Sequence, residues 1–451
     1  MLDNESLGNE SNLPVGRQEF GSLIANCGAT VNNSHLAVGV SGGADSMALC
    51  ILAARWGRLN SVLVTALVVD HGLRVSSAYE VRVVASWLKR LAIPFEILTI
   101  EQPKPTTGIQ EKARRWRFLA FENWCRSNNA DVVLLGHTLD DQIETLFMRI
   151  NADTGPDGLS GMLSYTRVRG LIIARPLLSV TKKRLIATCN HHNQKWINDP
   201  SNLDERFTRV FWRNLQPKVE QVGLASQSIE RFSRIMGSLR GIIDQHCRDF
   251  IKYSGGVSSL GLIWFEASHF NKLPPYFAEL MMGRILRSIG GASKPIKKRR
   301  IGKLCRNLTD KPSLIETLGG CIVQKSEEGS ILIYREYAKC PAPISCLPGE
   351  TFRWDNRFEI TLSGDQSAII EALGHHGWCQ VIGDANISGR FAMLKQIPFK
   401  ARLALPVIRH LDGGLSIPHF RRIDVAEGCV VSRELVAEFR PDADWVCELV
   451  A

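Results

Sequence analysis

Between residues 36 and 199, short β-branched runs alternate with longer segments in which apolar residues recur every three or four positions. The runs 36–40, 62–69, 95–100 and 131–136 predict strands, and 46–56, 76–91 and 109–126 predict the helices between them. That alternation belongs to a parallel sheet wrapped by helices. Unbroken apolar runs such as Val62-Leu63-Val64 and Val132-Val133-Leu134-Leu135 fit a sheet covered on both faces. Beyond Gln216 the pattern changes. Ile229, Phe232, Ile235, Met236, Leu239, Ile242 and Ile243 form one apolar stripe at helical spacing, and 275–289 predicts a second helix, so a small helical bundle is expected. Two apolar runs, 321–324 and 331–334, flank a Glu327-Glu328-Gly329 turn and predict a hairpin. The stretch 340–348 reads as a linker into a final domain of short strands, for instance 351–362 with a turn at Asp355-Asn356.

The chain is therefore expected to be α/β in class. A flexible extension and first helix (1–35) precede a parallel-sheet catalytic domain (36–215), a helical domain ending in a hairpin (216–338) and a small, strand-rich mixed α/β domain (339–451). Composition narrows this. With 451 residues, 45% of them hydrophobic, the chain is no disordered tail and is long enough for two to four cores. No run reaches the roughly 18 apolar residues of a membrane helix, so no membrane is expected. Residues 1–20 carry Asp3, Glu5, Glu10 and Glu19 against Arg17 with no apolar run, the opposite of a leader, and read as a frayed extension of a cytoplasmic protein. Twelve cysteines include no C-x-x-C, which excludes a zinc knuckle or iron-sulfur framework and predicts reduced thiols. The net charge of +10 is unevenly spread: residues 151–330 hold 28 basic against 15 acidic side chains, and 36–150 hold 13 against 11. A polyanionic partner is expected at the middle of the chain.

The strongest chemical signal follows the first strand. Ser41-Gly42-Gly43-Ala44-Asp45-Ser46 joins a strand to a helix through two glycines, which lets backbone amides turn outward at a helix N-terminus and cradle phosphate. Ser41 and Ser46 add hydroxyls, and Asp45 suits a phosphate site only where it holds a cation such as Mg²⁺. Further on, Asp70-His71-Gly72-Leu73-Arg74 ends the second strand, and Arg114 and Arg117 share a helix face able to clamp phosphate or carboxylate. His137 precedes a helix on which Asp141 and Glu144 lie one turn apart, a pair suited to an ammonium group or a metal.

These motifs resemble one family. Ser41 to Ser46 looks like the S-G-G-x-D-S loop of the PP-loop ATP pyrophosphatases, which cleave ATP to AMP and pyrophosphate. Ala113-Arg114-Arg115-Trp116-Arg117-Phe118, Gly136-His137-Thr138-Leu139-Asp140-Asp141-Gln142-Ile143-Glu144-Thr145, Gly158-Leu159-Ser160-Gly161-Met162, Ala174-Arg175-Pro176-Leu177 and Asn198-Asp199-Pro200-Ser201-Asn202-Leu203-Asp204 resemble the tRNA(Ile)-lysidine synthase family within it. Val210, where Asn often follows Arg209, departs from that pattern. The resemblance implies ATP on Ser41, Gly42, Gly43, Ala44, Asp45 and Ser46 with Asp70 and His71 nearby, Mg²⁺ at Asp45, and free L-lysine at Asp141 and Glu144 beside His137. It implies tRNA or phosphate contacts at Arg114, Arg117, Arg209 and Arg213. The basic run Lys297-Lys298-Arg299-Arg300 is a further candidate for tRNA phosphates.

As implied chemistry, the C2 oxygen of the wobble cytidine (position 34) in the CAU anticodon of isoleucine tRNA attacks the α-phosphate of ATP. Lysine then displaces AMP from C2. Asp141, Glu144 and His137 are all candidates to take the proton from lysine. The alternatives are a PP-loop tRNA thiolase, disfavoured by the missing C-x-x-C; a non-catalytic RNA-binding protein, disfavoured by the intact Gly42, Gly43, Asp45, Asp141 and Glu144; and an amidating synthetase, for which no glutaminase motif is present.

Overall fold

The computed structural model describes the chain apart from residues 1–11, 28–34, 73–76, 101–108, 153, 169–170, 199–210, 213–214, 216–220, 222–224, 293–295, 350, 363–365, 383–393, 395–396, 411–413, 418–434, 442–445, 447–448 and 450–451. It divides into two compact units, 1–241 and 242–451.

In the first unit, α1 (Arg17–Asn26) precedes β1 (His35–Val40), α2 (Ala44–Asn60), β2 (Leu63–Asp70), α3 (Ser77–Arg90), β3 (Phe95–Thr99), α4 (Ile109–Ser127), β4 (Val132–Leu135) and α5 (Leu139–Asn151). There follow α6 (Pro156–Leu159), β5 (Tyr165–Val168), β6 (Leu171–Ala174) and α7 (Lys182–His191). The six strands run in the order β3-β2-β1-β4-β6-β5, all parallel except β5, which is antiparallel to β6. Alternate residues of β1 feed two cores. Leu36, Val38 and Val40 join α2 and α7 on one face, while Ala37 packs with Phe121 and Cys125 of α4 on the other. The sheet is covered on both faces, as the unbroken apolar strands predict. Gly39 makes this close packing possible, because a Cβ there would lie 2.8 Å from Leu135 Cδ2 and 3.1 Å from Phe121.

The strand order reverses at β1, so the loops after β1 and β4 diverge and leave a crevice at their carboxyl ends. Part of the segment read as a frayed extension is docked. Val15 and Phe20 are buried, the Val15 amide donates to Thr188 Oγ1, and Arg184 donates to both oxygens of Glu19 at 2.6 and 2.8 Å. Its partners on α7 are more than 150 residues away in sequence, beyond the reach of local pattern.

The long α8 (Ser226–Ser254) carries the stripe predicted from periodicity. Ile229 is buried, but Phe232, Ile235, Leu239 and Ile242 are exposed.

The second unit is richer in strand than a helical bundle. Here β7 (Gly255–Ser258), β8 (Leu262–Glu266), α9 (Ala267–Phe270), α10 (Pro275–Gly290), α11 (Lys298–Asp310), β9 (Leu314–Leu318), β10 (Cys321–Lys325) and β11 (Ser330–Arg335) build an antiparallel sheet ordered β7-β8-β11-β10-β9. The predicted hairpin is β10–β11. Helices α10 and α11 bury Met281, Met282, Ile285, Leu304 and Leu308 in its core. Two smaller sheets follow. One is formed by β12 (Ile344–Cys346), β15 (Ala368–Ala372), β16 (Pro406–His410) and β17 (Leu415–Ser416), the other by β13 (Thr351–Trp354), β14 (Phe358–Leu362) and β18 (Leu435–Phe439). Asp355 and Asn356 both take φ of +53°, which makes the turn between β13 and β14. The stretch read as a linker does not separate two cores, since Cys346, Trp354 and Phe358 share one cluster with Met281 and Leu286.

Candidate active site

The loop after β1 is shaped by two glycines and two hydroxyls. Gly42 sits at φ +84°, and a Cβ there would lie 2.7 Å from Val84 Cγ2, so steric space and backbone conformation both require glycine. Its carbonyl accepts from the Ile197 amide at 2.9 Å. Gly43 is the N-cap of α2, with no side chain to satisfy the first-turn amides, which leaves them for an anion. Ser46 Oγ accepts from the Ser41 amide at 3.1 Å, donates to the Gly43 carbonyl at 3.0 Å and lies 3.2 Å from Ser41 Oγ. Ser46 therefore ties the loop closed. Gly136 brings the end of β4 against the same turn, where a Cβ would meet the Asp45 backbone at 3.0 Å.

A cleft of about 550 Å³ opens there, lined by Ser41, Gly43, Asp45 and Ser46 on one side. His71 borders it from the end of β2, Arg114 and Arg117 from α4, and His137 and Asp141 from the β4–α5 junction. Sequence-distant groups are thus brought together, but four of the predicted residues, Asp70, Gly42, Ala44 and Glu144, do not line the cleft. Asp70 does not line the cleft; its Oδ1 accepts from the Gly72 amide at 2.9 Å and from Ser77 Oγ at 2.5 Å, organising the turn that presents His71. Ala44 and Gly42 are buried within the loop and do not line the cleft. Glu144 is 2% exposed and does not line the cleft, so of the two carboxylates one turn apart only Asp141 faces it. Arg209 and Arg213 lie outside the described residues, as do residues 199–204.

Asp141 has two duties. Its Oδ2 accepts from the Thr138 amide (2.9 Å) and Thr138 Oγ1 (3.0 Å), while its own amide donates to Thr138 Oγ1 (3.3 Å), closing a capping box at the start of α5. The neighbouring Asp140 instead accepts from the Lys182 amide at 2.8 Å, capping α7.

The electrostatics are set by cations in low-dielectric surroundings. Burial pushes His137 down to about 4; Asp141 pulls it up, and Arg175, Arg114 and Arg117 push it down again. Its Nδ1 has no hydrogen-bond partner among the described residues. His71 is lowered by burial and by Arg117, against Asp70. Arg117 is itself lowered, by burial and then by Arg114, and both guanidiniums lie over the Phe118 ring at 5.9 and 5.2 Å. Two neutral imidazoles beside crowded guanidiniums form a cleft prepared for an anion.

Sequence reasoning missed three contributors. Lys182 brings its Nζ to 3.8 Å from Asp45 Oδ2. Arg175, a motif residue without an assigned role, is held by the Leu163 carbonyl and Thr166 Oγ1, both at 3.0 Å, and presses its charge on His137. Gln142, buried on α5, grips Met162 through both its amide atoms and reaches Ser233 Oγ at 3.1 Å, which accounts for the Gly158–Met162 motif. Gly161 at φ +64° belongs to that strap, since a Cβ there would lie 2.7 Å from Gln142. The motifs that contain Gln142 and Arg175 are visible in the sequence, but not what these side chains hold; Lys182 carries no signal.

Lys297 caps α11 and Lys298, Arg299 and Arg300 form its first turn, all exposed. Cations at a helix N-terminus oppose the helix dipole, an arrangement eased by a bound polyanion.

A PP-loop domain family matches residues 15–219. The match begins before β1, in keeping with the docking of α1. The chain is 33% identical over 356 residues to the tRNA(Ile)-lysidine synthase of Wolbachia pipientis wMel, covering 78% of this chain and 82% of that protein. It is likewise 33% identical over 327 residues to the tRNA(Ile)-lysidine synthase of Methylobacterium nodulans, covering 70% of this chain and 95% of that one. Among solved structures, a U34-tRNA thiolase from Methanococcus maripaludis aligns with 17% identity and a TM-score of 0.42 over 49% of this chain and 79% of that one, too remote to bear on activity. Given the extent of those two sequence matches and a phosphate loop that shares its cleft with a carboxylate, the chain belongs to the tRNA(Ile)-lysidine synthase family.

Proposed function

We propose that the protein joins free L-lysine to C2 of the wobble cytidine of isoleucine tRNA bearing a CAU anticodon, consuming ATP and releasing AMP and pyrophosphate. The modification would convert the tRNA from methionine to isoleucine identity. The observation that supports this reading is a single cleft lined by the loop Ser41, Gly43, Asp45 and Ser46, by the Arg114 and Arg117 guanidiniums and by the Asp141 carboxylate.

The first-turn amides of α2, with Arg114 and Arg117, hold the triphosphate. The cytidine C2 oxygen attacks the α-phosphorus, the new P–O bond forms, and the bond to pyrophosphate breaks. Arg114 and Arg117 offset charge that develops on the leaving pyrophosphate. The ε-amine of lysine then attacks C2 and AMP leaves with the former C2 oxygen. Asp141 Oδ1, which makes no hydrogen bond among the described residues, receives the ammonium, with Glu144 one turn behind it. An ammonium must lose a proton before it attacks. His137 is neutral because its pKa is depressed, and bound phosphates would offset two of the guanidiniums that depress it. His137 thus becomes a better proton acceptor once ATP is in place.

A divalent cation fits this cleft at the phosphate loop. No cluster of three or more metal-ligating side chains occurs among the described residues, whereas a single carboxylate, Asp45, stands at the phosphate loop. That is the donor set of Mg²⁺ carried in with its nucleotide, and the ion would neutralise phosphate charge there.

The thiolase alternative needs a thiolate at the cleft. Among the described residues no cysteine lines it, and the thiol of Cys189, which lies 3.4 Å from the Ala44 carbonyl, is pushed up to about 11 by burial and then by Asp45. The reading is tested by pyrophosphate release. Release should depend on tRNA with a CAU anticodon and fall by at least ~100-fold in Asp45→Asn; unchanged release in that variant would remove Asp45 from the ATP site.

A further inference from the structure

A second cavity, of about 510 Å³, lies in the first unit away from the catalytic cleft. Its apolar floor includes Phe20 of α1 and Leu52 and Trp56 of α2, and its cationic groups are Arg17, Arg55 and Arg58 with His191 and His192. Among the described residues no aspartate or glutamate lines it. The nearest acid of α1, Glu19, is already held by Arg184 through both oxygens. The phosphate loop sits at the start of α2 and Trp56 twelve residues on, roughly 18 Å along the helix, so the two cavities are separate.

The guanidiniums differ in how they are engaged. Arg58 donates to the Leu91 and Ala92 carbonyls at 3.1 and 2.9 Å, and Arg55 lies 3.2 Å from His192 Nδ1. Arg17 has no partner among the described residues and stands at the first position of α1, where the helix dipole disfavours a cation. Burial, then Arg55, then His191 lower His192, so among the described residues this wall carries positive charge with no carboxylate facing it. An anion would relieve all of these at once. The apolar lining, in which Leu59 is half exposed over the nearly covered Trp56 and Phe20, adds what an inorganic ion does not need: an apolar wall for a flat body. The volume is that of a site for a small organic ligand.

We propose that this cavity is a second, non-catalytic ligand site for a nucleotide, its phosphate held by Arg17 and Arg55 and its base against the apolar floor. The nucleotide comes either free or as one residue of an RNA strand; the chemistry is the same. Helices α2 and α7 both run between this cavity and the catalytic side, since α2 begins at the phosphate loop and α7 begins at Lys182 beside Asp45, while their far ends supply Trp56, His191 and His192. Occupancy is therefore placed to bear on the phosphate loop.

The test is equilibrium dialysis of the full chain with labelled AMP, and separately with a labelled single-stranded pentanucleotide. Wild-type protein is compared with R17A/R55A and with R82A/K89A, two exposed cations of α3 outside both cavities. For a free nucleotide, about two molecules of AMP should bind per wild-type and R82A/K89A chain and about one per R17A/R55A chain. For an RNA residue, AMP binding should be unchanged, and pentanucleotide affinity should drop at least ~10-fold in R17A/R55A but not in R82A/K89A. If neither ligand distinguishes R17A/R55A from R82A/K89A, the proposal is overturned. Circular dichroism checks that the exposed substitutions leave the fold intact; if they do not, binding of a fluorescent nucleotide and, separately, of a fluorescent pentanucleotide to wild-type protein in competition with AMP decides, and a single binding class with both probes overturns the proposal.

Discussion

At the scale of single residues, His137 shows how surroundings set chemistry. The unfolded chain would take up a proton on this imidazole near pH 6.5, but the folded protein holds it back to about 4. Between those values the unfolded state binds more protons, so stability is full above pH 6.5 and is lost as pH falls toward 4, by up to about 3 kcal/mol. Urea midpoints measured from pH 7 to pH 4 should therefore fall less steeply for His137→Asn than for the wild type; identical slopes would contradict the depressed value. Residues whose signal is local were readable from sequence: Gly42, Gly43 and Asp45 announce themselves because a strand, two glycines and a helix follow one another directly. Lys182 was not, nor was the role of Arg175, because each acts on the cleft from a distant part of the chain. Glu144 was read as facing the pocket because spacing gives its place on a helix but not what lies over that face.

At the scale of elements, α5 is capped by the same Asp141 that is proposed to receive lysine. Thr138→Ala removes one side of the capping box and should cost ~1 kcal/mol in thermal or urea unfolding while leaving the KM for lysine near its wild-type value. Asp141→Ala should cost about as much stability and in addition raise the KM for lysine far more than that for ATP. Equal rises for both substrates would remove Asp141 from lysine recognition. The βα elements of the first unit were legible because each strand is a buried apolar run bounded by turns. In the second unit β7 and β8 were not. Leu262–Glu266 is too short for periodicity to tell strand from helix, and Gly255–Ser258 is extended only because it pairs with β8, where a Cβ at Gly255 would lie 1.8 Å from the Trp264 carbonyl oxygen. Periodicity found α8 but said nothing of what covers its stripe, much of which is exposed.

For the molecule as a whole, each unit has its own logic. Residues 242–451 are joined by a buried ion pair network in which Asp355 accepts from Arg335 at 2.7 and 2.8 Å and from Arg357 at 2.8 Å, with all three side chains nearly inaccessible. Asp355→Ala would strand two guanidiniums and should lower the stability of this unit by about 3–5 kcal/mol, read as a shifted urea transition. A shift below ~1 kcal/mol would mean that water replaces the carboxylate. No helix among the described residues is long and apolar enough to cross a membrane. The positive charge gathers in residues 151–330, which include the exposed Lys297–Arg300 turn. The first unit keeps a carboxylate and a phosphate loop in one cleft, an arrangement that makes sense for a cationic amino acid joined to a nucleic acid at the expense of ATP. The direct test is incubation with labelled lysine, ATP and unmodified isoleucine tRNA bearing a CAU anticodon. The account predicts ATP-dependent transfer of label into the tRNA, with AMP released in equal amount. ATP cleavage with no label in the tRNA, or label incorporated without ATP, would contradict it.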